Sequence, residues 1–205
     1  MIELEEANKR ILDVIGTTGI ETLALSDAAT RVLAADISSS INLPVFDNSA
    51  MDGYAVRSVD AITGSRLRII GEVPAGTVFE KEISEGECVR IFTGSPIPAG
   101  ANAVVMQEDT HADKETIEIT DGVKPFEHVR LRGEDIKQGE DIGQAGEMVT
   151  SGRVALLGAC GTAEVSVYRR PVIGLIATGD ELKEPGAKLD PGEIFESNRL
   201  ALARL

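Results

Sequence analysis

The chain has 205 residues, 42% hydrophobic and 26% charged, which is enough apolar side chain to bury a substantial core. Its 20 basic against 34 acidic residues leave a net charge of −14 and a pI near 4.6, so phosphate backbones and anionic lipid repel it. No apolar run approaches the roughly 20 residues that span a bilayer. The acidic start Met1-Ile2-Glu3-Leu4-Glu5-Glu6 is unlike a signal peptide. Cys88 and Cys160 stand apart from each other and from any Cys/His grouping, which argues against a disulfide scaffold or a zinc site. These features predict a soluble, cytoplasmic protein with no nucleic-acid and no membrane partner.

Leu4, Ala7, Ile11 and Val14 recur at helical spacing and predict a helix over residues 3–15. Ser26 is a good N-cap and predicts a second, shorter helix to about Ala34. Ala35–Pro44 reads as extended and polar, a domain hinge. The periodicity then changes. Leu67–Ile70, Cys88–Phe92, Ala103–Met106, Thr116–Thr120 and His128–Leu131 are short apolar runs between turns, which predicts a small antiparallel barrel or sandwich. Asp109–Glu115 and Thr120–Lys124 read as solvent turns, the first holding an exposed His111. Val154–Leu157 is a short apolar run, and Thr162–Tyr168 alternates like a strand. Val172–Ala177 is continuously apolar, as in a strand buried on both faces of a parallel sheet. A helix capped by Ser197 follows over residues 198–203, so the last 35 residues predict the first βα unit of a doubly wound domain.

Four polar clusters could carry chemistry. FDNSAMDGYAV (residues 46–56) is either an Asx-type turn or a ligand site. In it Asp52 stands out, because Gly53 permits a close backbone approach to a ligand. IFTGSPIPAGANAVVMQED (91–109) offers a Thr93-Gly94-Ser95 turn whose hydroxyls and amides suit an anion, or a plain hairpin turn. LRGED (131–135) sets Arg132 beside Glu134 and Asp135, for anion binding or as a surface salt bridge. Thr178-Gly179-Asp180-Glu181 lies at a strand's carboxyl end, where open α/β sheets bind ligands and where paired carboxylates suit Mg²⁺.

These blocks, with GEVPAG (71–76), VYRRPVIGLIATGDEL (167–182) and PGEIFESNR (191–199), resemble in order the N-terminal part of the MoeA/gephyrin E-domain family of molybdopterin molybdenumtransferases. The resemblance implies an α+β multi-domain protein. Residues 1–44 and 136–170 would form an elongated, discontinuous α/β domain, and 45–135 an inserted β-rich domain. Residues 171–205 would be the truncated start of a molybdopterin-binding-like α/β domain, without the family's glycine-rich pterin-binding stretch. It implies molybdenum cofactor biosynthesis: molybdate enters adenylylated molybdopterin, AMP leaves, and Mg²⁺ assists. Carried over by position, Asp52, Thr93 and Glu181 would be catalytic, with Asp52 and Glu181 also holding the metal. Ser49, Arg132, Asp135 and Asp180 would bind substrate. In the family this cleft is shared across a homodimer, and a molybdopterin adenylyltransferase is the expected functional partner. The 205-residue chain alone is expected to be inactive. A non-catalytic dimerisation or scaffold module is the rival, whereas an unrelated metal hydrolase would need His ligands or a GxSxG motif, and neither occurs.

Overall fold

Leu4, Ala7, Ile11 and Val14 lie within helix α1 (Leu4–Val14), as their spacing predicts, in a computed structural model that describes residues 2–204. The chain divides into two units. One comprises the residues up to Gly19 and from Arg169 onward, the other Ile20–Tyr168. Among the described residues no helix is long and apolar enough to cross a membrane.

The larger unit opens with β1 (Ile20–Ala24), β2 (Ile37–Ser38), β3 (Asn48–Ser49) and β4 (Gly53–Val56). Next come β5 (Arg66–Val73), β6 (Glu87–Ile91), β7 (Ala103–Met106), β8 (Thr110–Ala112) and β9 (Thr116–Ile119). β10 (Val129–Arg130), β11 (Asp141–Gly143), helix α2 (Ser151–Ala159) and β12 (Glu164–Tyr168) complete it. Six strands share one sheet in the order β7-β4-β6-β5-β9-β8. Alternation places Tyr54 and Val56 on one face with Cys88, Val105 and Ile117, and Ala55 on the other with Val89, Ile91 and Val104. Both faces are therefore buried. The sheet departs from the expected all-antiparallel arrangement at β5 and β6, which run parallel. A parallel pair needs a crossover of about a dozen residues, and residues 74–86 supply it.

Beside this sheet, β1 pairs antiparallel with β12, and β2 with β11. They share a separate core with α2, built from Leu25, Leu33, Ile142, Val149, Leu157 and Val167. Burying each such aliphatic side chain contributes roughly 1.5–3 kcal/mol.

Several predicted elements differ. Ser26–Ala34 is not a helix: Leu25–Asp27 makes one 3-10 turn, and Thr30 takes a left-handed φ of 66°. Val32 and Leu33 then bridge to Met148 and Val167, so burial of Leu33 overrides the capping signal. Val154–Leu157 lies in α2, whose cap, Thr150, accepts from the Arg153 amide at 3.2 Å. A short apolar run without alternation does not reveal its element by periodicity. His111 is exposed, but on the edge strand β8 rather than in a turn.

In the smaller unit, Val172–Ala177 forms no strand, and Val172 and Ile176 are 101% and 90% exposed. Among the described residues no neighbouring strand offers this run a ladder, and an apolar segment becomes β only by pairing. The expected βα unit is thus present only in its helix. Instead β13 (Leu182–Lys183) pairs in parallel with β14 (Ile194–Phe195), and α3 (Asn198–Leu202) follows. Ser197 precedes α3 but makes no capping bond; Glu196 accepts from the Arg199 amide at 2.6 Å in its place.

Candidate functional site

The polar cluster at 46–56 is a strand, a turn and a second strand. Ser49 ends β3, and its hydroxyl donates to the Met51 carbonyl while accepting from the Met51 amide at 3.3 Å. Ser49 is buried, and its backbone bonds Ser95 and Gly94. It shapes the turn and offers substrate no free hydroxyl. The turn delivers Asp52 to the surface immediately before β4. Gly53 is required there for a reason other than ligand approach: a Cβ on it would stand 2.0 Å from the Val105 carbonyl oxygen of β7.

Asp52 and Thr93 come together. Asp52 Oδ1 accepts from both the Thr93 amide and the Thr93 hydroxyl at 2.8 Å, and both residues are exposed. The Thr93 amide, then its hydroxyl, hold the Asp52 carboxyl below its ordinary range, and the nearby Arg90 charge adds to this. Asp52 therefore stays ionised well below neutral pH. What the ionised form contributes to stability is present above the ordinary carboxylate pKa and fades as pH falls through the lowered one. Asp52 Oδ2 receives no donor among the described residues, and the residue is exposed.

The Thr93-Gly94-Ser95 turn does not offer free amides to an anion. Gly94, at φ 83°, donates to the Ser49 carbonyl at 2.8 Å, and the Ser95 amide donates to Phe92 at 2.9 Å. The Ser95 hydroxyl is buried on the Val73 carbonyl at 3.0 Å. Only the Thr93 side chain reaches the surface from this turn.

In the third cluster the arginine that pairs is Arg130, not Arg132. Arg130 forms ion pairs with Glu134 and Asp135 and lies on β10, beside Asn48 of β3. The Leu131 amide and Arg130 together lower the Glu134 pKa. Arg132 gives its amide to Asp47 at 2.7 Å, and among the described residues its guanidinium forms no ion pair. Asp180 and Glu181 belong to the other unit. They lie exposed on the turn before β13, where the Glu181 carbonyl accepts from Ile194 at 2.8 Å.

Sequence reasoning missed two cationic groups, Arg90 beside Asp52 and Arg130 on β10. Arg130 was hidden by Arg132 two positions on, and only the fold shows that it is Arg130 that pairs with Glu134 and Asp135. Arg90 lies between the buried Val89 and Ile91 of β6, an alternation that marks it as the residue facing away from their core. As for a metal, no group of three or more His, Cys, Asp or Glu is placed to hold one among the described residues. One open carboxylate oxygen on Asp52 nevertheless fits Mg²⁺, which binds through one or two carboxylates and completes its shell with water and substrate phosphate.

Comparison with known proteins shows the family. Residues 2–161 match the family described as MoeA N-terminal region (domain I and II). The molybdopterin molybdenumtransferase of Haemophilus influenzae is 41% identical over 207 residues, covering 100% of this chain and 51% of that protein. The enzyme of that name from Staphylococcus aureus is 37% identical, over 96% of this chain and 48% of its own length. The crystal structure of the molybdopterin biosynthesis MoeA protein from Pyrococcus horikoshii OT3 matches with a TM-score of 0.89 at 37% identity, over 100% of this chain and 56% of that one. The chain spans about half the length of the curated relatives it matches. With the family model matched from residue 2 to 161 and relatives 41% and 37% identical over nearly the whole chain, the chain belongs to the MoeA family, in its N-terminal region.

Proposed function

We propose that this chain supplies the Asp52 half of a molybdenum-inserting site, in which molybdate enters adenylylated molybdopterin and AMP is released. The observation that carries the reading is the Asp52–Thr93 clasp, an exposed carboxylate fixed by two donors with its second oxygen open. Asp113, in a plain turn, is held by donors only two and three residues away, whereas both donors to Asp52 come from Thr93, 41 positions along the chain. Asp52 Oδ2 would hold Mg²⁺ together with a substrate phosphate, and the ion supplies the positive charge that lets anions approach an acidic surface. Thr93 holds the carboxylate in its ionised form. Arg130 spends its charge on Glu134 and Asp135 and fixes the end of β10 beside β3. Arg132 has a guanidinium free for oxyanion contact. Asp180 and Glu181 are assigned to the same chemistry by the family resemblance, on a second copy of the chain.

Of the discontinuous domain expected from 1–44 and 136–170 around the insertion 45–135, the pairings of β1 with β12 and β2 with β11 support the part within 20–44 and 136–168, while residues up to 19 and from 169 fall in the smaller unit. A cytoplasmic homodimer working beside a molybdopterin adenylyltransferase completes the proposal. Helix α1 favours the dimer, and equally the reading as a dimerisation module, because it buries none of its residues and leaves Leu4 and Val14 69% and 82% exposed. Light scattering at micromolar concentration should therefore give twice the 21.7 kDa chain mass. A monomer mass would remove this part of the proposal.

The test of function is AMP release from adenylylated molybdopterin in the presence of molybdate and Mg²⁺. The 205-residue chain should release none, because the binding energy that the rest of the relatives' length gives the transition state is missing. A chain carrying that remainder should turn over. Robust release by the 205-residue chain would overturn the division of labour, and none by the longer chain would overturn the function.

A further inference from the structure

We propose that Arg90 is the positioning residue of the Asp52 site, its planar guanidinium fastening the strand ends that carry Asp52, Thr93 and Gln107. The inference rests on the reading of Asp52 as a working carboxylate but concerns only how that carboxylate is held.

Arg90 lies on β6 directly across from Tyr54 of β4, three residues before Thr93. Its guanidinium carbon is 5.1 Å from the centre of the Tyr54 ring and 5.0 Å from that of Phe92. Contact with two aromatic rings restricts where the group can sit. From there Nη1 donates to the Gly53 carbonyl at 3.0 Å and Nη2 to Gln107 Oε1. The Gln107 amide in turn donates to the Asp52 carbonyl at 3.1 Å. Asp52 is thus tied through its own carbonyl and through the residue that follows it. The donors that clasp its carboxylate arrive on the extension of the same strand as Arg90.

The partners of this arginine set it apart from its neighbours. Arg66 and Arg68, on the adjacent β5, are exposed and spend their charge on Glu118 and Glu87. Arg90 pairs with no carboxylate among the described residues; its bonds go to a carbonyl and an amide oxygen. That choice leaves its positive charge to act on the Asp52 carboxylate beside it, while the fork spans two chain segments. A lysine ammonium has no rigid fork, so it cannot reach Gly53 and Gln107 together from between the same rings.

Amide hydrogen exchange on the 205-residue chain tests this, comparing wild type with Arg90→Lys and Arg90→Ala, and with Arg66→Ala as the control. Protection of the Thr93 and Gln107 amides should fall roughly tenfold or more in both Arg90 variants, as expected for loss of charge-assisted bonds. Ala55 and Val89, in the middle of the sheet, should keep theirs, and Arg66→Ala should change none of the four. Full protection of Thr93 in Arg90→Lys would overturn the proposal, and so would an equal loss at Ala55 and Val89. If Arg90→Ala does not fold, Arg90→Lys decides alone. These amides report the clasp whatever the substrate is, so failure here is separate from failure of the molybdenum reading.

Discussion

Gly53→Ala is expected to destabilise the Ile20–Tyr168 unit by about 3 kcal/mol or more, at the upper end of what overpacking costs. The added methyl would meet the Val105 carbonyl oxygen at 2.0 Å and its carbon at 2.9 Å. Both belong to the backbone of β7, so no side-chain rotation relieves the clash. β4 is held between β6 and β7, and spreading it from one neighbour breaks a ladder with buried side chains on both faces. For a unit of this size the thermal midpoint should fall by roughly 6–12 °C. A midpoint within about 2 °C of wild type would show that β4 and β7 do not approach as described.

How much of this was legible in the sequence depends on where each residue's partners lie. Ala103–Met106 became a strand with the same two ends as its apolar run, because the turns that bound it are local. β4 was harder to see: it begins inside the polar cluster, and only Tyr54-Ala55-Val56 looks like a strand. Val172–Ala177 has the strongest strand signal in the chain, yet it forms no strand among the described residues, since a ladder needs a neighbour that composition cannot promise. Ser26 looked like a cap, but Leu33, far along the same segment, was claimed by the core around Val149 and Val167.

The site divides in the same way. Asp52 and Thr93 were legible, since each lies in a motif whose glycine and turn residues mark it. That they would meet was not, because 40 intervening residues and a sheet bring them together. Ser49 and Ser95 carried hydroxyls that sequence alone could not show to be buried and engaged. Arg130 and Arg90 were missed because the pairing of Arg130 with Asp135, and of Arg90 with Gly53 and Gln107, is decided by which side of a strand each faces.

Asp52→Asn should separate chemistry from shape. The Asn oxygen can still accept from the Thr93 amide and hydroxyl, so the clasp and the turn persist. What disappears is the charge, and with it the open carboxylate oxygen. Loss of a positioned acid–base or charged group costs about 10²- to 10⁴-fold in rate. Folding should be nearly indifferent, because the carboxylate is exposed and Asn satisfies turns about as well as Asp. The decisive measurement is therefore turnover and thermal midpoint of wild type and Asp52→Asn side by side, in a chain carrying the remainder of its relatives' length, with AMP release as the readout. A loss of about 100-fold or more at an unmoved midpoint is the predicted result. Near-normal turnover would contradict the account and leave Asp52 a turn residue.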